Sequence, residues 1–205
     1  MTRRRISIFP LAGAILLPGM QLPLHIFEPR YRSLVGDALA RDRMIGMIQP
    51  KADGKMSGLF DVGCLGRIED VEALEDGRYN IVLEGLQRFT VVEELQVKTP
   101  FRQIQAELWK EDELSEILSM AERAALEIEA RRFADAQGYA VDWNSVEQLD
   151  DFSLVNIVAQ IAPFDIAAKQ ALLEVRGLAD RSEMIIQLMQ FFGRRDSSDD
   201  RVTLQ

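Results

Sequence analysis

Three prolines near the start of the chain, Pro18, Pro23 and Pro29, constrain the fold more than any other feature. Each proline fixes its own φ angle, lacks a backbone N–H and drives the preceding residue toward an extended conformation. A central strand cannot lose that many donors, so the segment predicts short strands at or near a sheet edge. Pro18-Gly19 has the composition of a tight turn.

The third proline predicts the start of a helix, because proline is favoured in a first helical turn. Apolar residues then recur at helical spacing, at Tyr31, Leu34, Val35, Ala38 and Leu39. Arg41-Asp42 predicts the end of this helix, and the apolar run 44–48 predicts the next strand.

The rest of the first half alternates between apolar and polar residues, which is typical of strands. Residues 60–69 place Phe60, Val62, Cys64 and Ile68 on one face, and further runs follow at 79–91 and 101–109. Asp76-Gly77 predicts a hairpin turn, and glycines at 63 and 66 predict bulges. Residues 1–110 are therefore predicted to form a mostly antiparallel, curled, barrel-like sheet with one helix.

The apolar period changes to that of helices after residue 110. Leu114, Leu118, Ala121, Ala125 and Ile128 predict one buried helical stripe, and residues 144–147 and Asp180 with Glu183 predict capping boxes. Further helices are predicted at 154–161, at 166–175 and after residue 180, where Phe191 and Phe192 are expected to be buried. The fold class is therefore α+β, with an α-helical bundle at 111–195 and a flexible tail at 196–205.

Two spaced motifs identify a family. Phe9-Pro10-Leu11, Leu17-Pro18-Gly19, Leu22-Pro23-Leu24 and Ile26-Phe27-Glu28 with Tyr31 form the first; residues 76–89, with Glu84-Gly85-Leu86-Gln87-Arg88-Phe89, form the second. The chain resembles the N-terminal substrate-binding (LON) domain of ATP-dependent Lon proteases, which also occurs in cereblon and in small stand-alone bacterial proteins. The resemblance implies a PUA-like β domain followed by a helical bundle, and a stand-alone protein without the ATPase and protease modules.

Composition and motifs argue against most chemistries. The net charge of −9 disfavours nucleic acid as a partner, because binding phosphates needs clustered Lys and Arg. The single Cys64 excludes an internal disulfide, and the chain holds no membrane-length apolar run, so a cytoplasmic protein is predicted. One histidine, His25, and one cysteine supply no zinc site, and no phosphate-binding loop or nucleophile elbow occurs. We expect no catalytic residue, metal or cofactor.

Binding remains as the function. Met20, Tyr31 and Met56 are the candidate polypeptide-binding residues, since methionine suits adaptable contacts, whereas Phe27, Met44 and Met47 are expected to fill the core. The cleft between the β half and the helical bundle is the favoured location of the binding site, because ligand sites favour domain interfaces. Strands shortened by proline also leave unpaired edges, which an extended peptide could join. We predict a non-catalytic adapter or chaperone-like protein for unfolded or degron-bearing polypeptides. The alternatives are a self-associating scaffold without a ligand and, less favoured, an enzyme that uses His25 with a carboxylate.

Overall fold

The computed structural model describes residues 3–51, 58–110 and 116–199. The chain divides into two compact units, Met1–Asp112 and Glu113–Gln205. The first unit contains the strands β1 (Arg3–Pro10), β2 (Gln21–Ile26), β3 (Met44–Pro50), β4 (Leu59–Ala73), β5 (Tyr79–Glu94) and β6 (Gln103–Leu108), together with the helix α1 (Pro29–Leu39). The second unit contains α2 (Met120–Gln137), α3 (Trp143–Glu147), α4 (Asp151–Ile161), α5 (Ile166–Glu174) and α6 (Leu178–Asp199).

The strands form one curled sheet in the order β2-β5-β4-β3-β1-β6, and β6 also pairs with the second half of β5. All pairings among the described strands are antiparallel except that of β1 with β3. The α+β class and the mostly antiparallel, curled sheet are therefore confirmed. The parallel pair was not predicted; it arises because the chain from β1 passes through β2 and α1 before it returns as β3.

The core of the first unit lies where the sheet curls over itself. Its central cluster is made of Ile6, Ile8, Ile48, Leu65, Phe89, Ile104 and Ala106. Helix α1 covers another part of the core and buries Tyr31, Leu34, Val35 and Ala38, so the predicted helix and its apolar face are confirmed. Burying aliphatic and aromatic side chains in this way is the main stabilising term of the fold.

The buried face of β4 differs from the simple alternation that the sequence predicts. Residues 62–66 are all buried, not every second one. The reason is that the second face is covered as well: a Cβ added to Gly66 would lie 2.8 Å from Leu16 Cδ2. A bulge between Leu65 and Gly66, as glycine predicts, shifts the register against β5 at the same place.

The helical unit is confirmed, but two helix starts were predicted at the wrong residue. Helix α3 is capped by the Asp142 side chain, not by a box at residues 144–147, and α6 begins at Leu178, so that Asp180 lies inside its first turn. A capping box does occur in α2, where Ser119 and Glu122 bond to each other's backbone. Aspartate at residues 150 and 165 caps α4 and α5.

The predicted apolar stripe of α2 was wrong at Ala121, Ala125 and Ile128, which are exposed. Leu118, just before the helix, is buried as predicted, and Leu114 lies outside the described residues. The helix buries Leu126, Ala130, Phe133 and Ala134, whereas Ile128 is 67% exposed. Alanines supply little apolar area, so a stripe built on Ala121 and Ala125 could not compete with one that contains Leu126 and Phe133. Phe191, predicted to be buried in α6, is 54% exposed.

Candidate functional site

Strand β2 lies at the end of the strand order and pairs with β5 alone among the described strands. Its register places Leu22 opposite Leu83 and Leu24 opposite Ile81. Pro23, between them, has no N–H to donate, which restricts such a residue to an edge strand or a bulge. The edge position that the prolines predict is therefore confirmed for β2.

The backbone groups of Gln21, Pro23 and His25 point away from β5. The Leu74 N–H donates to the Arg78 carbonyl (2.9 Å) at the base of the β4–β5 hairpin, and the Gly85 N–H donates to the Met20 carbonyl (2.8 Å). Hydrogen-bonded pairs alternate along an antiparallel ladder. Because the backbone of Arg78 faces β4, the odd-numbered residues of β5 face β2, and the register pairs them with the even-numbered residues of β2. The contact of Gly85 with Met20 leads to the same result. The odd-numbered residues consequently present their carbonyls, and the N–H groups of Gln21 and His25, along the unpaired edge.

A surface groove of about 400 Å³ adjoins this edge. It crosses three strands and is lined by Pro23, Leu24, His25, Asp70, Glu72, Asn80, Ile81 and Val82. The lining combines an apolar floor with two carboxylates and contains neither lysine nor arginine. Within the described residues neither carboxylate forms an ion pair, so the groove carries uncompensated negative charge.

His25 is fixed in this groove by hydrogen bonds to both ring nitrogens. Its Nδ1 lies 2.7 Å from Asn80 Oδ1, while the Asn80 amide donates to Glu72 Oε2 (2.6 Å). Asn80 Oδ1 can only accept, so Nδ1 carries the proton, and Nε2 accepts from the Arg78 guanidinium at 3.2 Å. With both nitrogens engaged, the ring has no lone pair available as a general base, which disfavours an enzyme built on His25.

Arg78 is itself neutralised at the end of the groove by Asp76, whose Oδ2 accepts from Nε at 2.6 Å. The hydrogen bond from the Arg78 backbone N–H (3.1 Å), with the side-chain bond in addition, lowers the pKa of the Asp76 carboxyl. A carboxylate with a lowered pKa keeps its charge at neutral pH and so holds the guanidinium in place.

Phe27 is the most exposed aromatic residue described near the groove, at 60% exposure. Its ring stacks against His25 with centroids 6.2 Å apart. The prediction that Phe27 fills the core was wrong, because Ile26 is the buried residue at the end of β2 and its successor points to the other side. The alternation itself carried this signal, since Phe27 shares the odd-numbered side with Pro23 and His25.

The three predicted binding residues fall in different places. Met20 is half-buried at the turn before β2, beside the unpaired edge. Tyr31 is 6% exposed, packs edge-on against Phe9 (4.3 Å between centroids), and donates to the Pro10 carbonyl at 3.3 Å. Burial raises the pKa of its phenol. Met56 lies outside the described residues, so a role of these three residues in binding stays a prediction. Met47, by contrast, is buried as expected.

The second unit carries a separate exposed apolar surface on and before α2. Ile117, two residues before the N-cap Ser119, is 83% exposed, and Met120 and Ile128 within α2 are 89% and 67% exposed. We call these three residues the α2 stripe.

The described residues hold no group of three or more His, Cys, Asp or Glu side chains that could bind a metal ion. None of the described helices combines the length and the hydrophobicity that crossing a bilayer requires.

Comparison with known proteins gives one consistent family. The model of the ATP-dependent protease La (LON) substrate-binding domain matches residues 5–190. A Lon protease of Cytophaga hutchinsonii is 26% identical over 198 residues, covering 90% of this chain and 24% of that protease. Lon protease 2 of Myxococcus xanthus is 27% identical over 195 residues, covering 90% and 23%. The chain thus spans about a quarter of the length of these relatives.

Solved structures agree in fold. A Lon N-terminal domain protein from Xanthomonas campestris superposes with a TM-score of 0.67 at 21% identity, covering 90% of this chain and 98% of that chain. The N-terminal domain of a Mycobacterium avium complex Lon protease gives a TM-score of 0.66 at 17% identity, covering 91% and 98%. At these identities the likeness concerns the fold alone.

Proposed function

The chain belongs to the family of LON substrate-binding domains, and we propose that it binds unfolded or degron-bearing polypeptides without a catalytic step of its own. In this role it acts as an adapter or chaperone-like module. One observation carries the proposal: in the first unit, the unpaired edge of β2 and the exposed ring of Phe27 lie next to each other. Unfolded chains expose both backbone hydrogen-bonding groups and apolar side chains, and this surface offers partners for both.

Folded proteins satisfy most of their backbone groups internally and bury most of their large apolar side chains. A surface of this kind therefore binds unfolded chains in preference to folded ones. We expect the protein to bind a dye-labelled, permanently unfolded form of a model protein at least about tenfold more tightly than its folded form. Fluorescence anisotropy titration measures both affinities under identical conditions. Equal affinities, or no binding to either form, would remove the proposal.

A self-associating scaffold is the second candidate, and the α2 stripe is the observation that favours it. Exposed apolar side chains mark a contact surface when they form one contiguous patch, and the scaffold requires that these three do so. Light scattering at micromolar concentration separates the candidates: a scaffold is an oligomer in the absence of any ligand, whereas a strictly monomeric protein excludes the scaffold and leaves polypeptide binding untouched.

A further inference from the structure

We propose that the unpaired edge of β2 captures an extended polypeptide as an additional strand, and that the groove beside it selects segments with Lys or Arg at alternate positions. This inference rests on the proposed function and specifies its mode and its substrate class. It concerns only residues of the first unit.

The hydrogen-bonding pattern of the edge matches that of an extended chain. Gln21 and His25 each offer one outward N–H and one outward carbonyl, and Pro23 offers a carbonyl alone. An added strand can therefore form a full two-bond pair at Gln21 and at His25, and a single bond at Pro23. The missing donor at Pro23 keeps the edge from being a full template for a second copy of itself, which is how edge strands are commonly protected.

The groove crosses β2, β5 and β4, and the part of β4 opposite β2 forms a second edge, which is already protected. Beyond Arg67, β4 pairs with β5 alone among the described strands, so it also has an edge. A bulge between Ile68 and Asp70 distorts that edge, and the Val71 N–H donates to the Asp70 carboxylate at 2.9 Å. A donor that is satisfied by its own neighbour is not available to a peptide. Strand addition is consequently favoured at β2.

The groove determines which side chains suit the added strand. Neighbouring strands lie about 4.8 Å apart, so Asp70 and Glu72, on the third strand, are about 14 Å from the backbone of an added strand. A Lys or Arg side chain laid across Pro23 and Val82 spans about half of this distance with its apolar stem. Glu72 shortens the remainder, because its carboxylate reaches over β5 to accept from the Asn80 amide at 2.6 Å. The charges are then close enough to attract each other within the screening length of the solvent.

Phe27 adds a second site for the same chemistry. It follows β2 on the groove side, and its exposed ring offers a face to a cation or an apolar side chain. Side chains of an added strand alternate between the two faces, so the groove and Phe27 both act on every second residue. Segments in which Lys or Arg alternates with apolar residues fit this pattern.

Backbone N-methylation tests the strand addition. A labelled peptide with alternating Lys and Val is compared with two methylated forms, one blocked at every odd-numbered N–H and the other at every even-numbered N–H. An added strand directs only one of these sets toward β2. We expect one form to bind at least about tenfold more weakly and the other within about threefold of the unmodified peptide. If all three bind alike, or if both methylated forms lose binding equally, strand addition is contradicted.

Charge substitution tests the selectivity. The double variant Asp70→Asn/Glu72→Gln is expected to bind the Lys-Val peptide about tenfold more weakly and to lose its preference over a Glu-Val peptide. Glu93→Gln is the matched control, because this exposed carboxylate lies eleven residues beyond Val82 along β5; it should retain wild-type affinity. An unchanged preference in the double variant overturns the selectivity. If either test is negative but the protein still binds unfolded protein, the further inference fails and the proposed function stands. The failure of the inference is thus distinguishable from the failure of the proposed function.

Discussion

Replacing Gly85 with alanine is expected to lower the free energy of unfolding by about 3 kcal/mol or more. A Cβ at this position would lie 2.1 Å from the Leu17 carbonyl oxygen and 2.8 Å from its carbonyl carbon. Both are backbone atoms, so no rotamer change relieves the clash. The same backbone is anchored on both sides, because the Gly19 N–H donates to the Gly85 carbonyl and the Gly85 N–H to the Met20 carbonyl, each at 2.8 Å.

Urea denaturation of the two proteins measures this loss. Gly36→Ala is the matched control: Gly36 lies within α1, and a Cβ there meets no atom within 4 Å. Alanine at that site should raise the unfolding free energy by about 0.5–1 kcal/mol, since glycine is a poor helix residue. If Gly85→Ala were as stable as the wild type, the close approach of the two segments would be contradicted.

The second large effect is expected at Arg181, whose side chain is fully buried in the second unit. Its guanidinium donates to the carbonyls of Leu172 (3.2 Å) and Val175 (2.7 Å) at the end of α5, and to Asn156 Oδ1 (2.9 Å) in α4. The C-terminal carbonyls of a helix have no partner within the helix. Arg181 therefore joins three helices by satisfying groups that would otherwise be buried without partners.

Arg181→Met, which keeps much of the volume, is expected to destabilise the protein by about 3–5 kcal/mol, because it leaves those acceptors unsatisfied. Arg132→Met provides the comparison, since the Arg132 side chain is 73% exposed. Its ion pair with Glu129 is long, with 3.8 Å between Nη1 and Oε2. That change should alter the unfolding free energy by less than about 0.5 kcal/mol. Thermal denaturation followed by circular dichroism distinguishes the two outcomes, and equal melting temperatures of both variants would contradict the structural role of Arg181.

The sequence predicted the architecture because its strongest signals are local. Prolines, the Asp76-Gly77 pair and the change from alternating to helical spacing each act through a few neighbouring residues, and the structure confirms the elements that they predict. Gly85 shows the limit of that reasoning. The two motifs that identify the family come together in space at this glycine, but nothing in either motif alone reveals the contact between Leu17 and Gly85.

The candidate site was predicted in part for the same reason. The edge position of β2 follows from Pro23, and Met20 lies beside that edge. The exposure of Phe27 was missed because large aromatic residues are usually buried. The prediction followed the residue type, although the alternation along β2 placed Phe27 on the exposed side with Pro23 and His25. The groove carboxylates could not be singled out, since Asp70 and Glu72 resemble any other acidic pair until β2 and β5 bring Pro23 and Val82 beside them.

Anisotropy titration of an unfolded polypeptide against Phe27→Ala and Ile128→Ala tests the central claim most directly. The two residues are comparably exposed, at 60% and 67%, and Ile128 belongs to the α2 stripe of the other unit. If the surface around β2 binds the polypeptide, Phe27→Ala weakens binding by about tenfold and Ile128→Ala leaves it within about twofold of the wild type. If Phe27→Ala bound the polypeptide with wild-type affinity and Ile128→Ala lost affinity instead, binding at the surface around β2 would be contradicted.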